Sequence, residues 1–267
     1  MYITNIPAIA LAAEKSGVDR IWIDLEVKGK ADRQKNMDTV KSQHRISDIA
    51  TVSKHLRQAE LMVRINPWDN DSAAEIEEVI AAGADRIMLP MWKSPEEVDA
   101  FLTTVDRRVA TTLLLETREA VECLDRVLDN PLIDEIHIGL NDLHLSYGLT
   151  FMFELLSNGT VESLCQKIQK KGIPYGFGGI ARIGEGHLPA ENIMCEHIRL
   201  NSGIVILARS FLDASKIQSV QEAETIFSTE VRKLRSKELE YAAYTRAQLQ
   251  HKHDETCAII HSIISQI

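Results

Sequence analysis

The chain predicts an α/β protein, a closed (β/α)₈ TIM barrel with a helical C-terminal extension, on three observations. Short apolar runs rich in branched residues alternate with stretches of helical period. Eight such units can be counted along 267 residues, a length common for single barrels. No G-x-G-x-x-G follows the first apolar run, which argues against the main competitor, a doubly wound sheet. Alternating β and α units predict parallel strands joined by right-handed crossovers.

The first strand is expected at Met1–Thr4, and Ile6–Lys15 follows with helical period. Gly17 stands where that helix needs a C-cap, and Arg20–Asp24 is strand two. Residues 27–45 then break the rhythm: they are polar, charged and nearly free of large apolar groups. Coming after strand two, they are expected to form a substrate loop at the active-site face. Ile46–His55, with Ile49, Val52 and Leu56 at helical spacing, leads to strand three at Leu61–Ile65. Ala73–Ala82, with Ile76, Val79 and Ile80, ends at Gly83 before strand four at Arg86–Pro90. Pro95–Phe101 precedes strand five at Thr111–Leu115, and Arg118–Leu128 precedes strand six at Glu135–Gly139. Val161–Lys171 ends at Gly172 before strand seven at Ile173–Phe177, and Ile204–Ala208 is strand eight. The barrel domain is assigned residues 1–212. From residue 211 onward there is no Gly or Pro, so 213–267 read as long helices that exceed one barrel helix. They are expected to mediate oligomerisation; the alternative is a helix wrapping its own barrel.

Composition narrows the class. Hydrophobic content of 45% and charged content of 26% are ordinary for a soluble globular domain. The net charge of −9 disfavours general nucleic-acid or anionic-membrane binding. Cys123, Cys165, Cys195 and Cys257 lie far apart without a C-x-x-C pair, which reads as reduced structural thiols. The N-terminus lacks the pattern of a signal peptide, and no apolar run approaches the roughly 18 residues of a membrane span. A cytoplasmic location is the resulting expectation.

Two strand ends carry the chemistry. Leu113-Leu114-Leu115 leads into Glu116, and Ile136-His137-Ile138-Gly139-Leu140-Asn141 leads into Asp142. A carboxylate at the mouth of a buried strand is costly unless it is paired, hydrogen-bonded or metal-bound. The C-terminal ends of parallel strands are also where active sites lie. Two hard carboxylates with no His or Cys beside them favour Mg²⁺ or Mn²⁺ over zinc. Asp24 and Glu26 stand at the end of strand two, Arg64 at strand three and Trp92 beyond strand four. A 2-oxo acid can chelate such a metal through carboxylate and ketone, with Arg64 sharing the charge of an enolate oxygen. Backbone N–H groups around Leu140–Asp142, opening a helix, suit the substrate carboxylate. Trp92 is a candidate wall for the substrate, with plain packing as the alternative reading.

These segments resemble the HpcH/HpaI aldolase and citrate lyase β-subunit superfamily. The resemblance covers roughly residues 1–212 and rests on GVDRIWIDLE (17–26), MVRINPWD (62–69), AGADRIMLPMWKSPEEV (82–98), LLLETREAVE (113–122) and IHIGLNDLHLSYG (136–148). It implies a metal-dependent carbon–carbon lyase of the class II aldolase type. Glu116 and Asp142 would be the metal ligands, Arg64 the enolate-stabilising residue, and Gly139, Leu140 and Asn141 part of the pyruvate carboxylate pocket. Glu26 would stand behind them as a supporting acid. The implied substrates are pyruvate and an aldehyde, joined in a 4-hydroxy-2-oxo acid; a homo-oligomer, a hexamer, suits the family.

One position departs from the pattern. The aldolase branch carries an acid–histidine pair after strand two, whereas here Asp24-Leu25-Glu26 is followed by Val27. His44, at the end of the charged loop, is the candidate replacement base; a surface loop histidine is the bland reading. The departure keeps two alternatives open: a CoA-thioester lyase of the citrate lyase or malyl-CoA type, and a non-catalytic barrel acting as a binding subunit.

Overall fold

The computed structural model describes residues 1–29, 44–212 and 217–267. Eight parallel strands pair in chain order: β1 Tyr2–Ile3, β2 Arg20–Asp24, β3 Glu60–Arg64, β4 Arg86–Leu89, β5 Ala110–Leu115, β6 Ile136–Ile138, β7 Tyr175–Ile180 and β8 Ile204–Leu207. Leu207 N–H donates to Met1 O at 2.8 Å, so β8 returns to β1 and the sheet curls into a barrel. The expected (β/α)₈ architecture is therefore present. Helices α1 (Pro7–Lys15), α2 (Ile46–Ser53), α3 (Ser72–Ala81), α4 (Pro95–Val105), α5 (Arg118–Val127), α6 (Leu140–Ser146), α7 (Glu154–Ser157), α8 (Thr160–Lys170) and α9 (Ala190–Arg199) fill the connections. Most of the expected substrate loop, residues 30–43, lies outside the described residues.

Local chemistry sets these boundaries. Gly17 and Gly83 adopt φ of 91° and 101° after α1 and α3, a left-handed turn that disfavours a Cβ. Ser94 and Thr117 cap α4 and α5 by accepting from the N–H groups of Glu97 and Ala120. Strand seven differs from the sequence expectation. Its Gly178 and Gly179 lie inside β7 rather than beyond it, at a register shift between Gly176 and Gly179. The run reads as a strand end because glycine weakens strands. Here packing demands it: a Cβ at Gly178 would lie 2.7 Å from Leu140 Cδ1.

The hydrophobic core has two parts. The larger fills the layer between strands and helices. The smaller lies within the barrel and comprises Met1, Trp22, Met62, Met88 and Leu114. Because strand side chains alternate, the residues two positions either side of this apolar layer share its interior face. Towards the N-terminal ends these are Arg20, Glu60, Arg86 and Thr112; towards the C-terminal ends, Asp24, Arg64 and Glu116.

Two long helices follow β8: α10 (Val220–Ala242) and α11 (Arg246–Ile264). The first packs against α1 and α9, and Phe227 meets the Tyr2 ring edge-on at 4.9 Å. It thereby occupies the eighth outer position of the barrel. The second covers α9 and α7, tied by Asn192 Nδ2 donating to Thr256 Oγ1 at 2.9 Å. Among the described residues no helix is long and apolar enough to cross a membrane.

Candidate active site

The C-terminal ends of β2 and β3 supply a buried ion cluster. Arg64 grips Asp24 with two bonds, Nε to Oδ1 at 2.9 Å and Nη2 to Oδ2 at 2.8 Å. Its Nη2 also lies 3.3 Å from Glu26 Oε2. Below it the guanidinium rests over the Trp22 ring, 4.8 Å from the centroid. Asp24 and Glu26 are buried, so each needs a cation nearby. Burial alone would lower the Arg64 pKa, but the charges of Asp24 and Glu26 raise it above its ordinary value. Arg64 is thus a fixed, permanent cation with a preset orientation.

Glu116 ends β5 and is likewise buried. Its Oε1 accepts from Met91 N–H at 3.1 Å. Met91 has a left-handed backbone, φ 54°, uncommon for a residue with a side chain. Burial pushes the Glu116 carboxyl well above the usual range, and the Asp142 charge pushes the same way against the pull of Arg64. Asp142 sits in the first turn of α6, whose N-cap is Gly139. A Cβ at Gly139 would lie 2.8 Å from Glu116 Oε2, so glycine opens the space around that oxygen. Gly139 N–H already donates to Leu115 O at 3.0 Å. The amides of Leu140 and Asn141, in the first helical turn, lack an intrahelical acceptor by geometry.

The two acids predicted as metal ligands therefore share one electrostatic neighbourhood, in which the Glu26 charge also acts on Glu116. No group of three or more His, Cys, Asp or Glu that could hold a metal is found among the described residues. Two hard oxygen donors, one unusually hard to ionise without a cation, fit a divalent ion whose remaining positions go to water and substrate. Both line a cavity of about 430 Å³ with Met91, Lys93, Thr117, Arg118, Glu119, Leu145 and Ser146.

His44 does reach this end of the barrel. Asp24 N–H donates to His44 Nδ1 at 3.0 Å. The accepting nitrogen carries no proton, so a neutral His44 holds its proton on Nε2. Its ring is held as a donor, not in the form that accepts a proton through Nε2. Trp92, expected to contact substrate, has no exposed surface and packs in the core. Its carbonyl accepts from Thr117 Oγ1 at 2.8 Å, which steadies the chain beside Glu116. Val27 is 62% exposed, and Asn66 Oδ1 accepts the N–H groups of Val27 and Lys28 at 3.0 Å. Lys28 is committed to Asp69 and Asp71. His137 is an interior histidine whose Nε2 lies 3.2 Å from Gly178 O, and His144 is buried against Leu140 O.

Sequence reasoning passed over Arg118 and Leu145 as ordinary helix residues. The available signal was position: Arg118 follows the strand-end Glu116 by two residues, and Leu145 follows Asp142 by three, so both open onto the same mouth.

Comparison with known proteins places this geometry. A family model described as HpcH/HpaI aldolase/citrate lyase matches residues 2–155. No curated protein matches. Among solved structures, an HpcH/HpaI aldolase from Desulfitobacterium hafniense DCB-2 is 16% identical, with a TM-score of 0.57 over 88% of this chain and 91% of that one. An HpcH/HpaI aldolase/citrate lyase family protein from Burkholderia cenocepacia J2315 is 15% identical, with a TM-score of 0.58 over 83% and 93%. Macrophomate synthase is 19% identical, with a TM-score of 0.50 over 67% and 70%. At these identities the structural likeness speaks to fold.

Proposed function

We propose an activity from one premise: the chain belongs to the HpcH/HpaI aldolase/citrate lyase family. It is a divalent-metal-dependent carbon–carbon lyase that cleaves, or in reverse forms, a 4-hydroxy-2-oxo acid through a pyruvate enolate. The observation that carries this reading is Glu116 set near enough to Asp142 that the Asp142 charge pushes its carboxyl up, beside a fixed Arg64.

Glu116 and Asp142 would hold Mg²⁺ or Mn²⁺, which supplies Lewis acidity to the ketone when bound. Arg64, oriented by Asp24 and Glu26, shares the negative charge that develops on the enolate oxygen. The Leu140 and Asn141 amides, at the pocket that Gly139 keeps open, bind the pyruvate carboxylate. Glu26 takes or relays the proton of the 4-hydroxyl. His44, with its proton on Nε2, assists as a neutral donor. Trp92 contributes through the backbone it anchors. The helices α10 and α11 offer their outer faces to a second copy of the chain, and homo-oligomerisation is part of the proposal.

The test is deuterium exchange at the pyruvate methyl group, together with pyruvate release from a panel of 4-hydroxy-2-oxo acids, with added Mg²⁺ or Mn²⁺ and with chelator. Turnover should vanish with chelator and fall by about 10³-fold or more in Glu116→Ala. Chelator-insensitive turnover, or full activity in Glu116→Ala, sinks the reading. A second reading, a CoA-thioester lyase, draws on Val27 standing where the aldolase branch has histidine. Calorimetry with acetyl-CoA separates the two, because an aldolase should give no binding heat.

A further inference from the structure

Among the four cysteines, Cys257 has a setting of its own. Cys165 and Cys195 are buried, and burial lifts their thiols to about 12 and about 11. Cys123 is half-buried, and among the described residues its Sγ meets backbone carbonyls alone, Ala120 O at 3.6 Å and Lys93 O at 3.7 Å. Cys257 is also half-buried, but its Sγ lies 3.5 Å from His253 Nε2, one helical turn earlier on α11. His253 Nδ1 lies 2.9 Å from Oε1 of Glu196, a fully buried residue of α9. The other Glu196 oxygen accepts from Arg199 Nε at 3.0 Å and Nη2 at 2.9 Å.

These contacts set the direction of the protons. A carboxylate oxygen accepts, so the His253 proton sits on Nδ1 and Nε2 keeps its lone pair for the Cys257 thiol. Nucleophile, base and orienting carboxylate thus stand in line, an arrangement that activates a thiol by taking its proton as it attacks. Burial and the Glu196 charge raise the Cys257 thiol above its ordinary value, so it is protonated at rest and depends on that base. Cys257 lies well inside α11, where backbone amides are spent on the helix itself, so the helix offers no oxyanion hole for acyl transfer. Attack on a disulfide develops no oxyanion and needs none.

We propose that Cys257 is a nucleophilic site for small disulfides, with His253 as its base and Glu196 as the residue that positions the base. Sγ attacks one sulfur of R–S–S–R and passes its proton to His253 Nε2. A bond forms between Sγ and that sulfur, the S–S bond of the reagent breaks, and the departing thiolate takes the proton from Nε2 and leaves as R–SH. Cys257 is oxidised and the departing sulfur reduced, so no further oxidant is needed. The site lies on the seam between α9 and α11 and stands independently of the lyase reading.

Cys123 supplies the internal control, a half-buried thiol without a base. The reduced full chain is treated with dithiodipyridine, and modification of each cysteine is timed by acid quenching and peptide mass spectrometry. Cys257 should react at least about tenfold faster than Cys123. His253→Asn keeps an amide N–H for Glu196 and removes the base, so Cys257 should slow at least about tenfold while Cys123 keeps its rate. Glutathione disulfide should place one glutathione on Cys257, released by dithiothreitol. A Cys257 rate no greater than that of Cys123 in the wild-type protein overturns the site, whether or not the variant folds. An unchanged Cys257 rate in folded His253→Asn reduces the Glu196–His253 contact to a tie between helices and overturns it too. Glutathione attached elsewhere, or not at all, does the same.

Discussion

The two ends of the barrel carry the same residue types and behave oppositely. At the N-terminal end, Arg20 bonds Glu135 through Nη1 and Nη2 at 2.7 and 3.0 Å and meets Glu60 through Nε. Arg86 bonds Glu60 at 2.9 Å and lies 3.9 Å from Glu135. Two guanidinium groups thus face two carboxylates. Burial would raise the Glu135 carboxyl, but the Arg20 hydrogen bonds and charge bring it below the usual range. About 13 Å further along β2, four residues at roughly 3.3 Å each, the C-terminal end sets Arg64, among the described residues, beside Asp24, Glu26, Glu116 and Asp142. There the Glu116 carboxyl is pushed up instead. A charge layer that closes on itself holds a fold together; one whose carboxyl is pushed up by burial and by neighbouring carboxylate charges is stabilised by a cation that binds it. A cavity of about 300 Å³ also opens at the N-terminal end, yet the Arg20 and Glu60 that line it are already committed to each other.

The largest effect that tests this contrast comes from removing one arginine at each end. Arg20→Met should cost about 3–5 kcal/mol in urea unfolding, because it strands a buried carboxylate, while the folded fraction keeps its specific activity. Arg64→Met should lose activity by about 10³-fold or more even where it remains folded. If folded Arg20→Met is equally inactive, the division between ends is wrong.

A smaller and opposite-signed pair follows from neutralising one carboxylate at each end. In the presence of chelator, Glu116→Gln should raise the thermal midpoint by roughly 2–4 °C, since it removes a carboxyl whose ionisation burial and the Asp142 charge oppose. Glu135→Gln should lower the midpoint, because Arg20 loses one of its two carboxylate partners. Shifts of the same sign in both variants would show that the two layers are not electrostatically distinct.

The smallest effect concerns the acid limb of stability, where two buried histidines act against the raised Glu116 carboxyl. Burial holds His137 at about 4 and His197 at about 3, the latter helped by the His137 charge, against an ordinary 6.5. Between those values the unfolded chain binds more protons than the folded one, so stability falls as pH drops below 6.5. In a Glu116→Gln background, which removes that opposing carboxyl, the thermal midpoint should drop by several degrees from pH 7 to 5, above the range where Glu135 protonates. His197→Gln should flatten that slope, and an unchanged slope would assign it to other groups.

Much of this was legible in the chain. The β and α alternation, the caps at Gly17 and Gly83, and the strand ends at Glu116 and Arg64 all follow from local rules of period and backbone conformation. Even the layered barrel interior is written as alternation: Arg20-x-Trp22-x-Asp24 and Glu60-x-Met62-x-Arg64. Local rules failed where contact partners are far apart in sequence. The glycines of β7 read as a strand end because the Leu140 side chain that requires Gly178 is 38 positions away. Trp92 reads equally as wall or core until burial decides it.

By itself, then, the sequence determined the barrel, its order and the set of acids at its mouth, because these depend on periodicities within single elements. Only the tertiary structure decided which charges cancel. It gave Arg20 to Glu135 across 115 positions and Arg64 to Asp24 across 40, and it set Asp142 where its charge pushes the Glu116 carboxyl up. It also fixed the His44 proton on Nε2 through the Asp24 amide. Charge balance and tautomer depend on distances between elements, and those exist only once the barrel has closed.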